Sequence, residues 1–165
     1  MKLLTLSLLA VWITTAAIAQ HPTTRSQNDN LDNGVAVKGY DPVAYFTDER
    51  PVVGDPQYQY EWDGAVYRFA SARHLALFKA EPDLYLPQYN NWCAASVAKG
   101  SKVYGNPEYW LVLDGRLYLF GKPIGPQLMS SDPGMKSRAD ENWPKVSGMP
   151  DPPLPDYMRA AGQSQ

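Results

Sequence analysis

Apolar and polar positions alternate along residues 58–69 and merge into a nearly continuous apolar run along 109–120, and each stretch is broken midway by an Asp-Gly pair. Asp63-Gly64 and Asp114-Gly115 suit the two-residue type I′ turn, whose central residues both need positive φ. Folding the first stretch back on itself pairs Trp62 with Ala65, Tyr60 with Tyr67 and Tyr58 with Phe69 on an aromatic face. Glu61 with Val66 and Gln59 with Arg68 then form a mostly polar face, so this hairpin is expected to cover a core from outside. The second stretch pairs Val112 with Leu117 and Trp110 with Leu119 on one face, Leu111 with Tyr118 and Tyr109 with Phe120 on the other. Both faces are apolar, which predicts central strands covered on both sides. The two hairpins are alike only in their turns, and no long repeat is evident.

The remaining elements are shorter. Residues 34–38 and 43–46 read as extended segments joined by the turn Gly39-Tyr40-Asp41-Pro42, and 48–56 as a loop. Ser71 is a natural N-cap for a helix over 72–79, with Leu75 and Phe78 toward the sheet and His74 on the flank of that stripe. Pro82 ends it, and a further helical turn runs to Pro87. Asn90-Asn91 would cap a helix over 92–99 closed by Gly100, placing Cys93 in a first turn whose dipole favours a thiolate. A Gly/Pro-rich loop then leads to a polar helix over 132–143, stopped by Pro144. The expected fold is α+β: a single small domain, an antiparallel sheet built from two Asp-Gly hairpins with short helices packed on it.

The chain begins with Met1-Lys2 and an apolar run over 3–18, followed by Ala17-Ile18-Ala19, a small-x-small cleavage pattern. That is the layout of a signal peptide over 1–19, so the protein is expected to be exported, periplasmic or secreted, after cleavage near Ala19. Residues 20–33 form a polar leader that includes His21, 34–148 the domain, and 149–165 a Pro-rich tail expected to be extended or disordered. An exported chain with one cysteine has no internal disulfide, so its stability must come from the core. Net charge is -2 and no basic stripe is present, which argues against nucleic acid as a partner. No membrane association is expected once the signal is removed.

Chemistry narrows quickly. His74 is the one histidine inside the expected domain, and Ser71, three residues before it, is explained by its capping role; there is no G-x-S-x-G turn. There is no C-x-x-C, H-E-x-x-H or C-x-x-C-H either. Cys93 and His74 could meet if their helices pack, as a nucleophilic dyad or as two ligands of a soft metal such as Cu or Zn. Against that stand a Cys93 that is simply a small buried hydrophobe and a His74 hydrogen-bonded at the core edge. Tyr40, Asp41, Tyr45 and Tyr89 complete a possible ligand-binding set, although an Asp before Pro usually caps its own backbone.

Three blocks of residues resemble the exported YHS-domain proteins. They are Gly34 to Phe46 (GVAVKGYDPVAYF), Trp62 to Ser71 (WDGAVYRFAS), and a scattered set comprising Phe78, Pro82, Tyr85, Pro87-Gln88-Tyr89 and Cys93-Ala94. Asp114 to Leu119 and Ala139-Asp140 with Asn142-Trp143-Pro144 extend the resemblance over about 34–144. It implies a small α+β domain with an antiparallel sheet, and a link to metal handling. Shorter modules of that family carry cysteines where Ala70 and His74 stand here, so their metal site is not carried over intact. Longer members show two glycines and a tyrosine where Asn90-Asn91-Trp92 stand.

Together these features favour an exported small binding protein that takes a metal ion or metal-containing small ligand, with haem as a further candidate, through Cys93 and His74. A thiol enzyme using a Cys93–His74 dyad, and an interaction module without a chemical site, are the alternatives. A homodimer is compatible with each.

Overall fold

The computed structural model describes residues 34–154, so the signal-peptide and leader expectations lie outside the described residues. In chain order the elements are α1 (Ala44–Thr47), β1 (Asp55–Trp62), β2 (Ala65–Phe69), α2 (Ala72–Ala80), α3 (Pro82–Tyr85), α4 (Ala94–Val97), β3 (Asn106–Leu113), β4 (Arg116–Phe120), α5 (Gly125–Ser131) and α6 (Met135–Ser147). The fold is α+β. The two hairpins form separate two-stranded antiparallel ladders, β1–β2 and β3–β4.

Both turns fall on their Asp-Gly pairs, with φ of 50° and 78° at Asp63 and Gly64 and of 51° and 69° at Asp114 and Gly115. Next to the turns the register is as expected: Trp62 opposes Ala65, Tyr60 opposes Tyr67, Val112 opposes Leu117 and Trp110 opposes Leu119. At the far ends it slips. Phe69 opposes Asp55 and Phe120 opposes Asn106, where simple alternation expected Tyr58 and Tyr109. A bulge absorbs extra residues before Gln59 and before Trp110.

Two apolar clusters make the core. The first gathers Val37, Val43, Tyr45, Tyr67, Phe69, Phe78 and Tyr85 with Leu117 and Leu119. The second gathers Tyr89, Trp92, Cys93, Val97, Met129, Met135 and Val146 with Tyr118 and Phe120. β4 therefore buries alternate side chains into opposite clusters, as expected of a strand apolar on both faces. Phe78 is the hub of the first, with ring contacts to Tyr67, Phe69 and Tyr85. Truncating such a residue to Ala costs about 4 kcal/mol.

Several local expectations are corrected. Residues 43–46 are not a strand: the Val43 carbonyl accepts the amides of Phe46 and Thr47, and α1 forms. Residues 36–39 are a tight 3-10 turn with left-handed Val37 (φ 51°) and Lys38 (φ 50°), and 88–91 are another, with left-handed Tyr89 (φ 55°) and Asn90 (φ 49°). Trp92 is thus extended, and α4 is only four residues long with Cys93 as its N-cap. The Gly/Pro-rich loop contains α5, whose Pro126 sits in the first turn, where a missing amide costs nothing. α6 starts at Met135 and continues through Pro144 to Ser147. The described part of the tail is tied down: Lys102 Nζ bonds Asp151 and the carbonyls of Ser147 and Met149, and Tyr104 Oη donates to the Pro152 carbonyl.

Candidate functional site

Asp41 comes just after the left-handed turn and precedes α1, and its carboxylate is fully buried. Oδ1 accepts the Val43 amide at 2.8 Å, as an Asp before proline commonly does. Oδ2 accepts the Ala70 amide at 2.7 Å and meets His74 Nδ1 at 2.6 Å. The carboxylate thus ties the turn, the end of β2 and the first turn of α2 together. Ser71 fixes that first turn by accepting the His74 amide, so the cap expected from sequence is present.

His74 itself is 6% exposed. The contact with the Asp41 carboxylate places the donor proton on Nδ1 and turns Nε2 to the other side of the ring. Nε2 lies 3.2 Å from Thr47 Oγ1 and 3.7 Å from Asp48 Oδ1, both at the C-terminal end of α1. The Thr47 hydroxyl is in turn 2.9 Å from Asp48 Oδ1. The Asp48 side chain is 32% exposed, so the site opens to solvent on this side. Thr47 and Asp48 carry no sequence signal of a site, since they end a short helix that itself read as a strand.

The two tyrosines expected nearby lie close to Asp41 but spend their hydroxyls on β3. Tyr40 Oη donates to Glu108 at 2.5 Å and Tyr45 Oη to the Pro107 carbonyl at 3.0 Å. The bond to Glu108, with burial, pushes Tyr40 up to about 12. Burial pushes Tyr45 up further, with Tyr40, Glu108 and Asp41 adding to the effect.

Tyr89 and Cys93 belong to the second cluster. Tyr89 Oη donates to Asp140, which also pairs with Lys136, and its ring packs on Tyr118 and Trp143. Cys93 is a buried free thiol, 5% exposed, whose amide donates to the Val103 carbonyl. Its surroundings are Trp92, Ala94 and the end of β4, where it bridges Leu119. The polar groups recorded against the His74 side chain are Asp41 and Thr47, with Asp48 beyond, while Cys93 bridges Leu119 of the first cluster and packs in the second.

Among the described residues no group of three or more His, Cys, Asp and Glu side chains is arranged to hold a metal. Among the described residues, His74 Nε2 and Asp48 Oδ1 are the imidazole and carboxylate donors that lie together on this side. A tetrahedral ion bound to one imidazole nitrogen and one carboxylate oxygen would hold them roughly 3.4 Å apart. The 3.7 Å between His74 Nε2 and Asp48 Oδ1 is close to that, and a carboxylate behind the other ring nitrogen is the usual support of a ligating histidine. No helix among the described residues is long and apolar enough to cross a membrane. Comparison with family models, with curated proteins and with solved structures returned no match.

Proposed function

We propose that this chain is an exported small binding protein that holds a metal ion, or a small ligand carrying one, at His74 Nε2 with Asp48 as the second donor. One observation carries this reading: the Asp41 carboxylate, itself buried and fixed by two amides, locks His74 Nδ1 at 2.6 Å and leaves Nε2 beside a partly exposed carboxylate. Two protein donors leave the remaining positions of the ion to water or to the ligand's own atoms, which favours a metal delivered in a small chelate over a permanently caged ion. The resemblance to exported YHS-domain proteins supports the same reading. Cys93 is left out of the site, because its thiol is packed in the second core cluster and His74 already has Asp48 beside Nε2.

Calorimetric titration of the metal-free protein with Zn(II), Cu(II), Ni(II) and haem tests the proposal. One of these is expected to saturate at one equivalent, with affinity about tenfold weaker in Asp48→Asn and lost in His74→Gln, and unchanged in Cys93→Ser. Asp48 is partly exposed, so its variant tests the site even if His74→Gln folds poorly. No saturable binding, or binding indifferent to Asp48→Asn, overturns the reading.

A further inference from the structure

The left-handed turns at 36–39 and 88–91 are 52 residues apart, and both lead into the same succession of contacts. Val37 and Lys38 match Tyr89 and Asn90 in φ to within a few degrees. The residue before each turn makes a parallel bridge to the second strand of a hairpin: Val35 to Val66, and Pro87 to Leu117. The residue after each turn makes an antiparallel bridge, Tyr40 to Val53 and Trp92 to Tyr104. The next amide donates at 2.8 Å to a valine carbonyl, Asp41 to Val52 and Cys93 to Val103. A four-residue helix comes next, α1 or α4, starting after a linker two residues longer in the first case.

From Val52 and Val103 onward the two stretches run at a constant offset of 51. Gly54-Asp55-Pro56 corresponds to Gly105-Asn106-Pro107, and Tyr58 to Tyr109. Asp63-Gly64, Tyr67 and Phe69 correspond to Asp114-Gly115, Tyr118 and Phe120. The bulges coincide as well, between Asp55 and Gln59 and between Asn106 and Trp110. Beyond each hairpin the matching residues Phe78 on α2 and Met129 on α5 are both buried, one in each core cluster. The hairpins, which read in sequence as alike only in their turns, are alike in register, in their bulges and in several side chains as well.

We infer that the domain is an internal duplication of one turn–helix–hairpin–helix unit, in which only the first copy keeps an Asp–His pair and Cys93 stands in the carboxylate position of the second. The amides that hold the Asp41 carboxylate are those of Val43, two residues on, and Ala70, just past β2. The amides at the same sequence distances from Cys93 and β4 are those of Ala95, which the shorter linker places in the first turn of α4, and Gly121, just past β4. Gly121 lies against the cysteine, since a Cβ placed on it would come 3.7 Å from Cys93 Cβ. The histidine position corresponds to Gly125, where a Cβ would come 2.5 Å from the Phe120 ring, so the second copy has closed over the place of the imidazole. The duplicated backbone therefore keeps a seat for a carboxylate at 93 and gives that copy no histidine, independently of what His74 binds.

Cys93→Asp in the full chain tests this without any ligand. A carboxylate in an apolar core normally unfolds a small domain, as Ala94→Asp at the adjoining fully buried position is expected to do. The duplication predicts that Cys93→Asp stays folded and melts within several degrees of the parent. Its Ala95 and Gly121 amide protons should both shift downfield in NMR spectra as the new carboxylate ionises, and the Gly121 response is the one that capping of α4 alone would not produce. Melting as low as Ala94→Asp, or amides that do not respond, would overturn it.

Discussion

His74 Nδ1 and Asp41 Oδ2 lie 2.6 Å apart in the interior, joined across 33 residues of sequence. The contact closes the ring formed by the left-handed turn, the first hairpin and α2. Asp41→Asn would offer an amide nitrogen where the Ala70 and His74 donors now find a carboxylate. Urea unfolding should show a loss of about 3 kcal/mol, in the range for a broken buried pair. His74→Gln should add little further loss in the Asp41→Asn background, since the two act together, and a double-mutant cycle measures this coupling. Additive losses would mean that Asp41 works through the Val43 and Ala70 amides alone.

Lys102 is a second clasp. Its ammonium sits 4.8 Å from the Trp92 ring centroid and is bonded to Asp151 and to two carbonyls at the end of α6. Lys102→Met keeps the stem but leaves those carbonyls without their donor. A loss of about 2 kcal/mol is expected, with hydrogen exchange accelerated more over 146–152 than in the first hairpin. Uniform acceleration would show that the tail does not depend on this lysine.

The tyrosines set the alkaline limit. Tyr40 ionises near 10 in the unfolded chain and is pushed up to about 12 in the fold, first by its bond to Glu108 and then by burial. The folded state therefore holds a proton that the unfolded state has lost. The resulting stability is fully present below pH 10 and disappears as pH rises through about 12. Tyr40→Phe should flatten the fall in melting temperature between these limits. Phenolate absorbance during a pH titration of the folded protein should likewise lag that of free tyrosine.

Two glycines give opposite expectations. A Cβ at Gly105 would lie 2.2 Å from the Asn91 carbonyl oxygen and 3.1 Å from Leu119 Cβ, so Gly105→Ala must push the turn off β4. A loss of about 3 kcal/mol is expected. At Gly148, with ordinary φ of -81° and its nearest neighbour 3.8 Å away, Ala should be neutral or stabilise by about 0.5 kcal/mol. Thermal unfolding of the two variants side by side checks both.

What was legible in the sequence was what local chemistry dictates. Asp-Gly between alternating apolar residues placed both hairpin turns, and Ser71 marked the start of α2. The bulges were not legible, because which of several residues leaves the ladder depends on packing beneath it. Nor were the left-handed residues Val37, Lys38 and Tyr89, whose side chains ordinarily avoid that conformation. The start of α5 could have been found, since Gly125-Pro126 is a fair helix opening. Asp41 and His74 were each singled out as residue types, but their meeting is a product of the fold. Asp48 had nothing to mark it until α1 was seen to end beside the imidazole.

β4 contributes Leu117 and Leu119 to one apolar cluster and Tyr118 and Phe120 to the other, so neither half of the molecule owns it. A chain assembled from two similar halves could have melted in two steps, each half an independent foldon. Sharing a strand removes that freedom: stripping either cluster from β4 strips the backbone that the other rests on. The halves are thereby bound into one cooperative unit, and damage near the imidazole is felt as readily around the thiol.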